Sequence, residues 1–261
     1  MTVRLAVLGS PVAHSLSPAI HGAAMAAVGI DGTYSAEEVD EPGMRRMAES
    51  VRSGVMLGAS ITMPHKATAA ALADRRTEIA ERLGIANTWW REGGELVADA
   101  TDGAGVRFAW ERAGLPSRGR VVVLGAGGAA TAAALELSSS HEVTIAARRP
   151  DAAADAAGRA GVRVGAWGAP TEGAIVVNGT PIGMAGESLP TWATERATGL
   201  LEMVYAAGPT PTMAAFGARG LPVATGLEML VGQAIPAFER WFGVTAPVEV
   251  MLDAAKASSA P

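Results

Sequence analysis

A glycine-rich turn at residues 125–128 restricts the fold of this chain more than any other feature. It directly follows Arg120–Leu124, an arginine and four apolar residues that are typical of a buried strand, and it leads into the helical pattern of Ala129–Leu137. A second apolar run, Glu142–Ala147, completes a strand–turn–helix–strand unit of about 28 residues. This order of elements predicts two parallel strands joined by a helix.

Within the turn, Gly125, Gly127 and Ala130 have the spacing of a dinucleotide-binding fingerprint. The first glycine allows a tight turn, the second lets a pyrophosphate approach the backbone, and the small third residue lets the helix pack against the strand. The helix N-terminus offers free N–H groups and the positive end of its dipole to phosphate. The pattern therefore favours a dinucleotide site over the alternative, a glycine-rich turn without a ligand.

The end of the second strand indicates which dinucleotide binds. NAD sites usually have a carboxylate there that binds the ribose 2′-hydroxyl. In this chain Ala147 occupies the position and is followed by Arg148 and Arg149. Because the planar guanidinium group suits phosphate, the sequence predicts NADP rather than NAD. The alternative is that both arginines are solvated surface residues.

Composition and charge exclude several other classes of protein. The chain has no cysteine, which rules out a thiolate nucleophile, a disulfide framework and a Cys-ligated metal, and its four histidines argue against a His-rich metal site. The net charge is −5 and no basic run exceeds two residues, so we expect no nucleic-acid or membrane partner. Without a signal peptide or a long apolar span, the expectation is a soluble cytoplasmic protein that contains no metal.

The N-terminal third of the chain also alternates between strand and helix patterns. Strand-like and helical runs follow one another at residues 4–8, 18–28, 34–39, 41–53 and 57–63. Ser17 is the expected N-cap of the first helix, and Gly93-Gly94 between two apolar runs indicates a hairpin. The alternation predicts a largely parallel α/β sheet, and a linker-like stretch at 113–119 precedes a second α/β region.

Hydroxyl and charged side chains follow several of the predicted strands. Ser15 and Ser17 lie in the loop after the first strand, and Thr62 and Lys66 follow a later one. Ligands bind at the carboxyl ends of strands in α/β sheets, and hydroxyls beside a helix N-terminus suit a carboxylate. Taken singly, some of these residues also have a structural explanation: Ser17 as a helix cap and Lys66 as an ordinary surface lysine. The same holds for Asp102, further along the chain, which could cap the helix that follows it.

Taken together and in order, these segments resemble the shikimate dehydrogenase family. The segments that are similar to the family's motifs are Gly9–Pro18, Ser60–Lys66, Asn87-Thr88, Thr101–Gly105, Gly125–Ala129, Asn178–Met184, Val204-Tyr205 with Thr210-Pro211, and Gly226–Ala234. The resemblance implies an α/β fold of two domains, an N-terminal α/β substrate domain and a Rossmann-like dinucleotide-binding domain. It places the substrate-binding and catalytic domain at 1–102, the NADP-binding domain at 103–225 and helices that return to the substrate domain at 226–261.

The resemblance also implies an activity and a set of site residues. The activity is the reversible, NADP-dependent reduction of 3-dehydroshikimate to shikimate, on the route to chorismate and the aromatic amino acids. Lys66 and Asp102 would form the catalytic pair. The substrate contacts would be Ser15 and Ser17 at the carboxylate, and Thr62, Asn87, Tyr205 and Gln233 at the carboxylate or ring hydroxyls. The cofactor contacts would be Gly125, Ala126, Gly127, Gly128 and Ala129 at the pyrophosphate, Arg148 and Arg149 at the 2′-phosphate, Met203, Gly226 and Met229 near the nicotinamide, and also Asn178 and Thr180.

The proposed pair of side chains suits carbonyl reduction on chemical grounds. Addition of a hydride to a ketone leaves a developing alkoxide, which needs a proton and a nearby positive charge. The ammonium group of Lys66 can supply both, and Asp102 would keep that ammonium oriented. In the oxidative direction, neutral Lys66 would take the proton of the substrate hydroxyl.

Some positions depart from the family's pattern. Ser60 and Ala100 stand where the family often has asparagine, and Glu202 stands where an aspartate is common. These differences leave open a preference for quinate or aminoshikimate over shikimate. A non-catalytic regulator that binds NADP or shikimate is the remaining alternative, although a pure binder needs no proton donor such as Lys66. We expect a small-molecule substrate and either a monomer or a homodimer.

Overall fold

The computed structural model describes residues 2–205 and 208–259. The chain forms two compact units, the first from Met1–Thr101 and Gln233–Ser258 and the second from Asp102–Gly232 and Ser259–Pro261. The backbone passes from one unit to the other at Thr101–Asp102, and again inside a long helix between Gly232 and Gln233. The domain boundaries at residues 102 and 225 stay a prediction.

The first unit contains one sheet and six helices in the described part of the chain. Its elements are β1 (Val3–Gly9), α1 (Ser17–Ala27), β2 (Gly32–Glu38), α2 (Glu41–Arg52), β3 (Gly58–Ile61), α3 (Lys66–Leu72), β4 (Arg75–Arg76), α4 (Glu78–Leu83), β5 (Thr88–Glu92) and β6 (Glu95–Asp99), with most of α10 (Gly226–Phe242) and of α11 (Val248–Ser259). The sheet order is β2-β1-β3-β5-β6-β4. Buried residues of α2, α3 and the strands, among them Met44, Ala69 and Trp89, form the core on one side of this sheet.

The sheet of the first unit is largely parallel, as the sequence predicts, but it contains one antiparallel strand. β1 pairs in parallel with β2 and β3, but β5 runs antiparallel to both β3 and β6. The reason is the predicted hairpin: Gly93 and Gly94 both have positive φ angles, 61° and 90°, and reverse the chain in two residues. A parallel neighbour would need a much longer crossover connection.

The start of α1 corrects one expectation. Ser17 is the first helical residue and Leu16 is the N-cap, which makes no side-chain capping bond. Instead, the side chain of Ser15 accepts a hydrogen bond from the backbone N–H of Ser17 at 3.3 Å. Because Pro18 has no N–H to satisfy, the helix can begin without the expected Ser17 cap.

The second unit is an all-parallel sheet covered by helices. Its elements are α5 (Asp102–Arg112), β7 (Arg120–Leu124), α6 (Gly128–Leu137), β8 (Glu142–Ala146), α7 (Pro150–Ala160), β9 (Arg163–Val164), β10 (Ile175–Asn178), α8 (Thr191–Thr194), β11 (Gly199–Glu202), α9 (Pro211–Ala218), β12 (Val223–Ala224) and the start of α10. The sheet order is β12-β11-β10-β7-β8-β9, which is the strand order of the Rossmann fold. Strand order reverses between β7 and β10, and ligands bind at that point in such folds.

Small residues allow the helices of the second unit to pack closely. Alanines of α6 and α7, such as Ala130, Ala134 and Ala157, are buried against the apolar residues of β7, β8 and β10. The opposite face of the sheet packs against Ala193 and Phe216. This packing explains how a chain with only 5% aromatic residues builds its core.

No helix within residues 2–205 and 208–259 is both long and apolar enough to cross a membrane.

Candidate active site

The loops after β1 and β3 lie side by side in the first unit. The backbone N–H of Thr62 donates to the carbonyl of Leu8 at 2.8 Å, and the N–H of Ser10 donates to the carbonyl of Met63 at 3.1 Å. Parallel pairing therefore brings the loop that contains the two predicted serines next to the segment that leads to Lys66. Both loops lie at the carboxyl edge of the sheet, where α/β proteins bind ligands.

Lys66 is anchored to a second predicted site segment. It is the half-buried first residue of α3, and its carbonyl accepts a hydrogen bond from the N–H of Ala86 at 2.9 Å. Asn87 follows directly, so Lys66 and Asn87 are held close together along the backbone. The neighbouring His65 is buried and its Nε2 hydrogen-bonds to the carbonyl of Val39 at 2.7 Å, which is a structural role.

Asn87 and Gln233 are brought together by side-chain hydrogen bonds. Nδ2 of Asn87 donates to the side-chain oxygen of Gln233 at 3.1 Å and to Oγ1 of Thr101 at 3.0 Å. Thr101 returns a bond from its backbone N–H to Oδ1 of Asn87 at 2.8 Å, and its hydroxyl donates to the carbonyl of Gln233. Thr101 directly precedes Asp102 in the chain. The sequence motif contains Thr101, but its role as the link between these two amides was not predicted.

The predicted residues divide between the two units. Ser15, Ser17, Thr62, Lys66, Asn87 and Gln233 belong to the first unit, whereas Asp102, Tyr205 and all of the predicted cofactor contacts belong to the second. Asp102 is buried at the first position of α5, where the helix dipole favours a carboxylate. The pairing of Lys66 with Asp102 stays a prediction.

The glycine turn of the second unit has the geometry that a pyrophosphate needs. Gly125 has a φ of 109°, and a Cβ there would lie 2.6 Å from the carbonyl oxygen of Gly179. Gly127 is the N-cap of α6, so no side chain caps the first N–H groups of this helix. A Cβ at Gly127 would meet no described atom within 4 Å. The first turn of α6 thus presents backbone N–H groups to open space, in which a phosphate group fits.

Arg148 and Arg149 lie at the end of β8, as the sequence predicts. Both are exposed, and Arg149 is the N-cap of α7. Within residues 2–205 and 208–259, neither side chain forms an ion pair. Their charges are therefore available to a phosphate group. Together with the open turn at Gly127, this arrangement fits NADP.

Four predicted residues meet where β10 and β11 end. The N–H of Met203 donates to the carbonyl of Asn178 at 3.2 Å, and a Cβ on Gly226 would lie 2.7 Å from the carbonyl oxygen of Met203. Met203 also packs on the apolar cluster that contains Met229. The glycine at 226 thus allows α10 to start directly against the backbone that follows β11.

The side chain of Asn178 is engaged within the protein. Its Nδ2 donates to the carbonyl of Ile182 at 2.9 Å and to Oε1 of Glu202 at 2.7 Å. Its Oδ1 accepts bonds from the hydroxyl of Thr180 at 2.7 Å and from the backbone N–H of Thr180 at 3.1 Å. These bonds shape the loop after β10, and the predicted contacts of Asn178 and Thr180 with the cofactor stay predictions.

Glu202 joins several parts of this region by hydrogen bonds. In the sequence it stood out only as a departure from the family's pattern. The residue is fully buried, and Oε1 accepts from Asn178 and from the N–H of Val204 at 3.1 Å, while Oε2 accepts from Thr210 at 3.3 Å. Burial raises the pKa of Glu202 to about 7, although the bonds from Val204, Asn178 and Thr210 oppose the shift. A lone carboxylate within the apolar run Leu200–Val204 was the available signal.

Glu202 should make the stability of the protein depend on pH. The pKa of Glu202 is about 7 in the folded protein and 4.5 in the unfolded chain, so the folded state keeps this proton to a higher pH. The free energy of unfolding therefore falls as pH rises between these two values. Glutamine keeps the shape and does not titrate. We expect the free energy of unfolding of Glu202→Gln, measured by urea denaturation, to rise by about 3 kcal/mol relative to that of the wild type as the pH increases from 4 to 8. A constant difference over that range would contradict this.

Two family models match the chain. The model of the shikimate dehydrogenase substrate binding domain matches residues 7–89, and the model of the shikimate 5′-dehydrogenase C-terminal domain matches residues 226–256. Both matches include residues of the candidate site: Lys66 and Asn87 in the first, and Gln233 in the second.

Relatives and solved structures match over nearly the whole chain. The chain is 37% identical to the shikimate dehydrogenase (NADP(+)) of Mesorhizobium japonicum, over 97% of this chain and 95% of that protein. The Thermus thermophilus shikimate 5-dehydrogenase, solved in complex with NADP(H) and shikimate, is 34% identical with a TM-score of 0.91, over 98% of this chain and 100% of that one.

A reductase with another substrate has a similar structure. The 5-ketofructose reductase of a Gluconobacter species is 25% identical with a TM-score of 0.87, over 98% of this chain and 99% of that one. The higher identity and the two family models favour the first group of relatives. This chain therefore belongs to the shikimate dehydrogenase family.

Proposed function

We propose that this protein catalyses the reversible, NADP-dependent interconversion of 3-dehydroshikimate and shikimate, a step on the route to chorismate. The observation that supports this most is end-to-end similarity to a solved enzyme that holds both NADP(H) and shikimate. The glycine turn, the two free arginines and the polar carboxyl edge of the first sheet provide the binding groups that these two ligands require.

Lys66 is the group that exchanges a proton with the substrate. When bound, NADP supplies the hydride acceptor for oxidation, and its reduced form supplies the donor for reduction. Nζ of Lys66 gives a proton to the carbonyl oxygen during reduction and takes it from the hydroxyl during oxidation. The carboxylate of Asp102 holds the ammonium in place. Both directions use the same two side chains.

The remaining polar residues bind and orient the substrate. Ser15 and Ser17 hold its carboxylate at the edge of the first sheet. Asn87 and Gln233, which already hydrogen-bond to each other, bind ring hydroxyls together with Thr62 and Tyr205. Because the two amides are held by Thr101, little side-chain freedom is lost when the substrate binds.

The two arginines after β8 should decide between NADP and NAD. The double substitution Arg148→Ala with Arg149→Ala removes two charge-assisted contacts to the 2′-phosphate. We expect the KM for NADP to rise about 10- to 100-fold, with the KM for NAD unchanged. Arg118→Ala is a matched control, because Arg118 is also exposed in the second unit. An equal rise in KM for both cofactors would mean that the arginines do not contact the 2′-phosphate.

Substrate preference tests the proposed function itself. The value of kcat/KM should be measured with shikimate, quinate and aminoshikimate, each with NADP and with NAD. We expect shikimate with NADP to give the highest value. A higher kcat/KM with quinate would mean that quinate is the substrate. Binding of NADP and shikimate without turnover would support a regulator instead.

A further inference from the structure

We propose that Ser60 binds the substrate carboxylate together with Ser15 and Ser17, and that the hydroxyl of Tyr34 positions the hydroxyl of Ser60. The inference rests on the proposed function, which assigns Ser15 and Ser17 to the carboxylate. It adds a positioning residue on a neighbouring strand, and it gives a role to a serine that stands where the family often has asparagine.

Tyr34 reaches Ser60 across the sheet. It lies on β2 opposite Leu5 of β1, and Ser60 lies on β3 opposite Val7 of β1, so the tyrosine side chain reaches across the central strand. Its hydroxyl donates to Oγ of Ser60 at 2.7 Å. Tyr34 and Ser60 are both buried.

The ring of Tyr34 is held firmly by other aromatic rings. It stacks on the ring of His21 with a centroid distance of 4.5 Å and an interplanar angle of 9°, and Trp241 packs against both rings. His21 is fully buried, and no described atom hydrogen-bonds to its ring nitrogens. Burial lowers the pKa of His21 to about 3, so it packs as a neutral ring. The Tyr34 hydroxyl is therefore preset in one place.

Ser60 and Ser15 each accept a hydrogen bond through Oγ, which leaves their own protons available to bind an anion. Oγ of Ser60 accepts the proton of Tyr34, and Oγ of Ser15 accepts the backbone N–H of Ser17. A hydroxyl has one proton to give, and each of these serines keeps its own after accepting. For Ser60, no acceptor is present within residues 2–205 and 208–259. A hydroxyl that accepts a bond also becomes a stronger donor, which favours a carboxylate as its partner.

Tyr34→Phe tests the positioning role, because phenylalanine keeps the stacked ring and removes only the hydroxyl. Binding of shikimate to the protein without NADP should be measured by isothermal titration calorimetry. We expect the Kd for shikimate to rise about tenfold and the Kd for NADP to stay unchanged. In turnover, the KM for shikimate should rise by a similar factor, while kcat stays within about twofold because Lys66 is untouched.

Two further variants separate this role from a general loss of structure. Ser35→Ala removes a neighbouring hydroxyl on β2 that is exposed and donates to Glu37, so it should leave the Kd for shikimate unchanged. Ser60→Ala should weaken shikimate binding as Tyr34→Phe does, and the double variant should lose less than the sum of the two. Additive losses would mean that Tyr34 does not act through Ser60.

The outcomes also distinguish this inference from the proposed function. If the wild type binds shikimate and Tyr34→Phe binds it equally well, the inference is wrong and the proposed function stands. A lower Tm of Tyr34→Phe with an unchanged Kd has the same meaning, because it shows a structural role only. If the wild type itself does not bind shikimate, the proposed function fails and the inference fails with it.

Discussion

Lys66→Ala is expected to lower kcat by about 10²- to 10⁴-fold, which is the usual contribution of a general acid–base group. The variant lacks the proton donor for the developing alkoxide, and a methyl group leaves no charge near it. The KM for shikimate should change little, because the proposed substrate contacts of Ser15, Ser17 and Asn87 are kept. Steady-state kinetics in both directions measures the two parameters separately.

The chain offers a well-matched control for this substitution. Lys66 and Lys256 are its only two lysines. Lys256 is exposed on α11 and pairs with Asp253 at 3.7 Å. Lys256→Ala should therefore keep the kcat of the wild type. A Lys66→Ala variant with near-normal kcat would remove the role that we assign to this residue, and a similar loss in both variants would point to a general effect of lost charge.

Asp102→Asn is expected to give the second-largest loss, about 100-fold in kcat/KM. Asparagine has nearly the same size and can still occupy the first turn of α5, so the fold should be kept. It lacks the negative charge that, in the proposed mechanism, holds the ammonium of Lys66 in place, and misplacement of a reacting group is costly. Asp253→Asn is the corresponding control, since Asp253 is the partner of the control lysine.

The two substitutions together test whether the residues act as one unit. If Asp102 works only by holding Lys66, the double variant should be no slower than Lys66→Ala alone. Multiplication of the two losses would show that Asp102 contributes by a separate route, for example by binding the substrate. Circular dichroism of each variant should match the wild type, which confirms that the α/β fold is intact.

The local patterns of the sequence predicted much of the fold. The strand Arg120–Leu124 has the expected bounds, and α6 begins one residue before the predicted start. These elements are apolar runs bounded by glycine turns, so their signal is contained in neighbouring residues. The hairpin at Gly93-Gly94 was predicted for the same reason.

Features that depend on distant partners were not predicted. The two-residue strands β4, β9 and β12 exist because β6, β8 and β11 pair with them, and two residues have no periodicity to detect. The hairpin predicts that β5 and β6 are antiparallel, but it does not predict that β5, rather than β6, pairs with β3. Sequence patterns indicate elements, but the pairing of elements is set by packing of the whole sheet.

The candidate site shows the same division. Motifs indicated Lys66, Asn87 and the glycine turn directly, because each of these signals lies in a short run of neighbouring residues. The supporting contacts were missed: Thr101 between two amides, Glu202 beneath the loop after β10, and Tyr34 behind Ser60. Each of these joins residues far apart in the chain, and only the folded register places them together.

The most direct test of the account is a crystal structure of the protein with NADP and shikimate bound. We expect Nζ of Lys66 within about 3.2 Å of the substrate hydroxyl that is oxidised, with the carboxylate of Asp102 beside the same lysine. We also expect the guanidinium groups of Arg148 and Arg149 to contact the 2′-phosphate. If either Lys66 or Asp102 points away from the bound ring, the proposed catalytic pair is wrong.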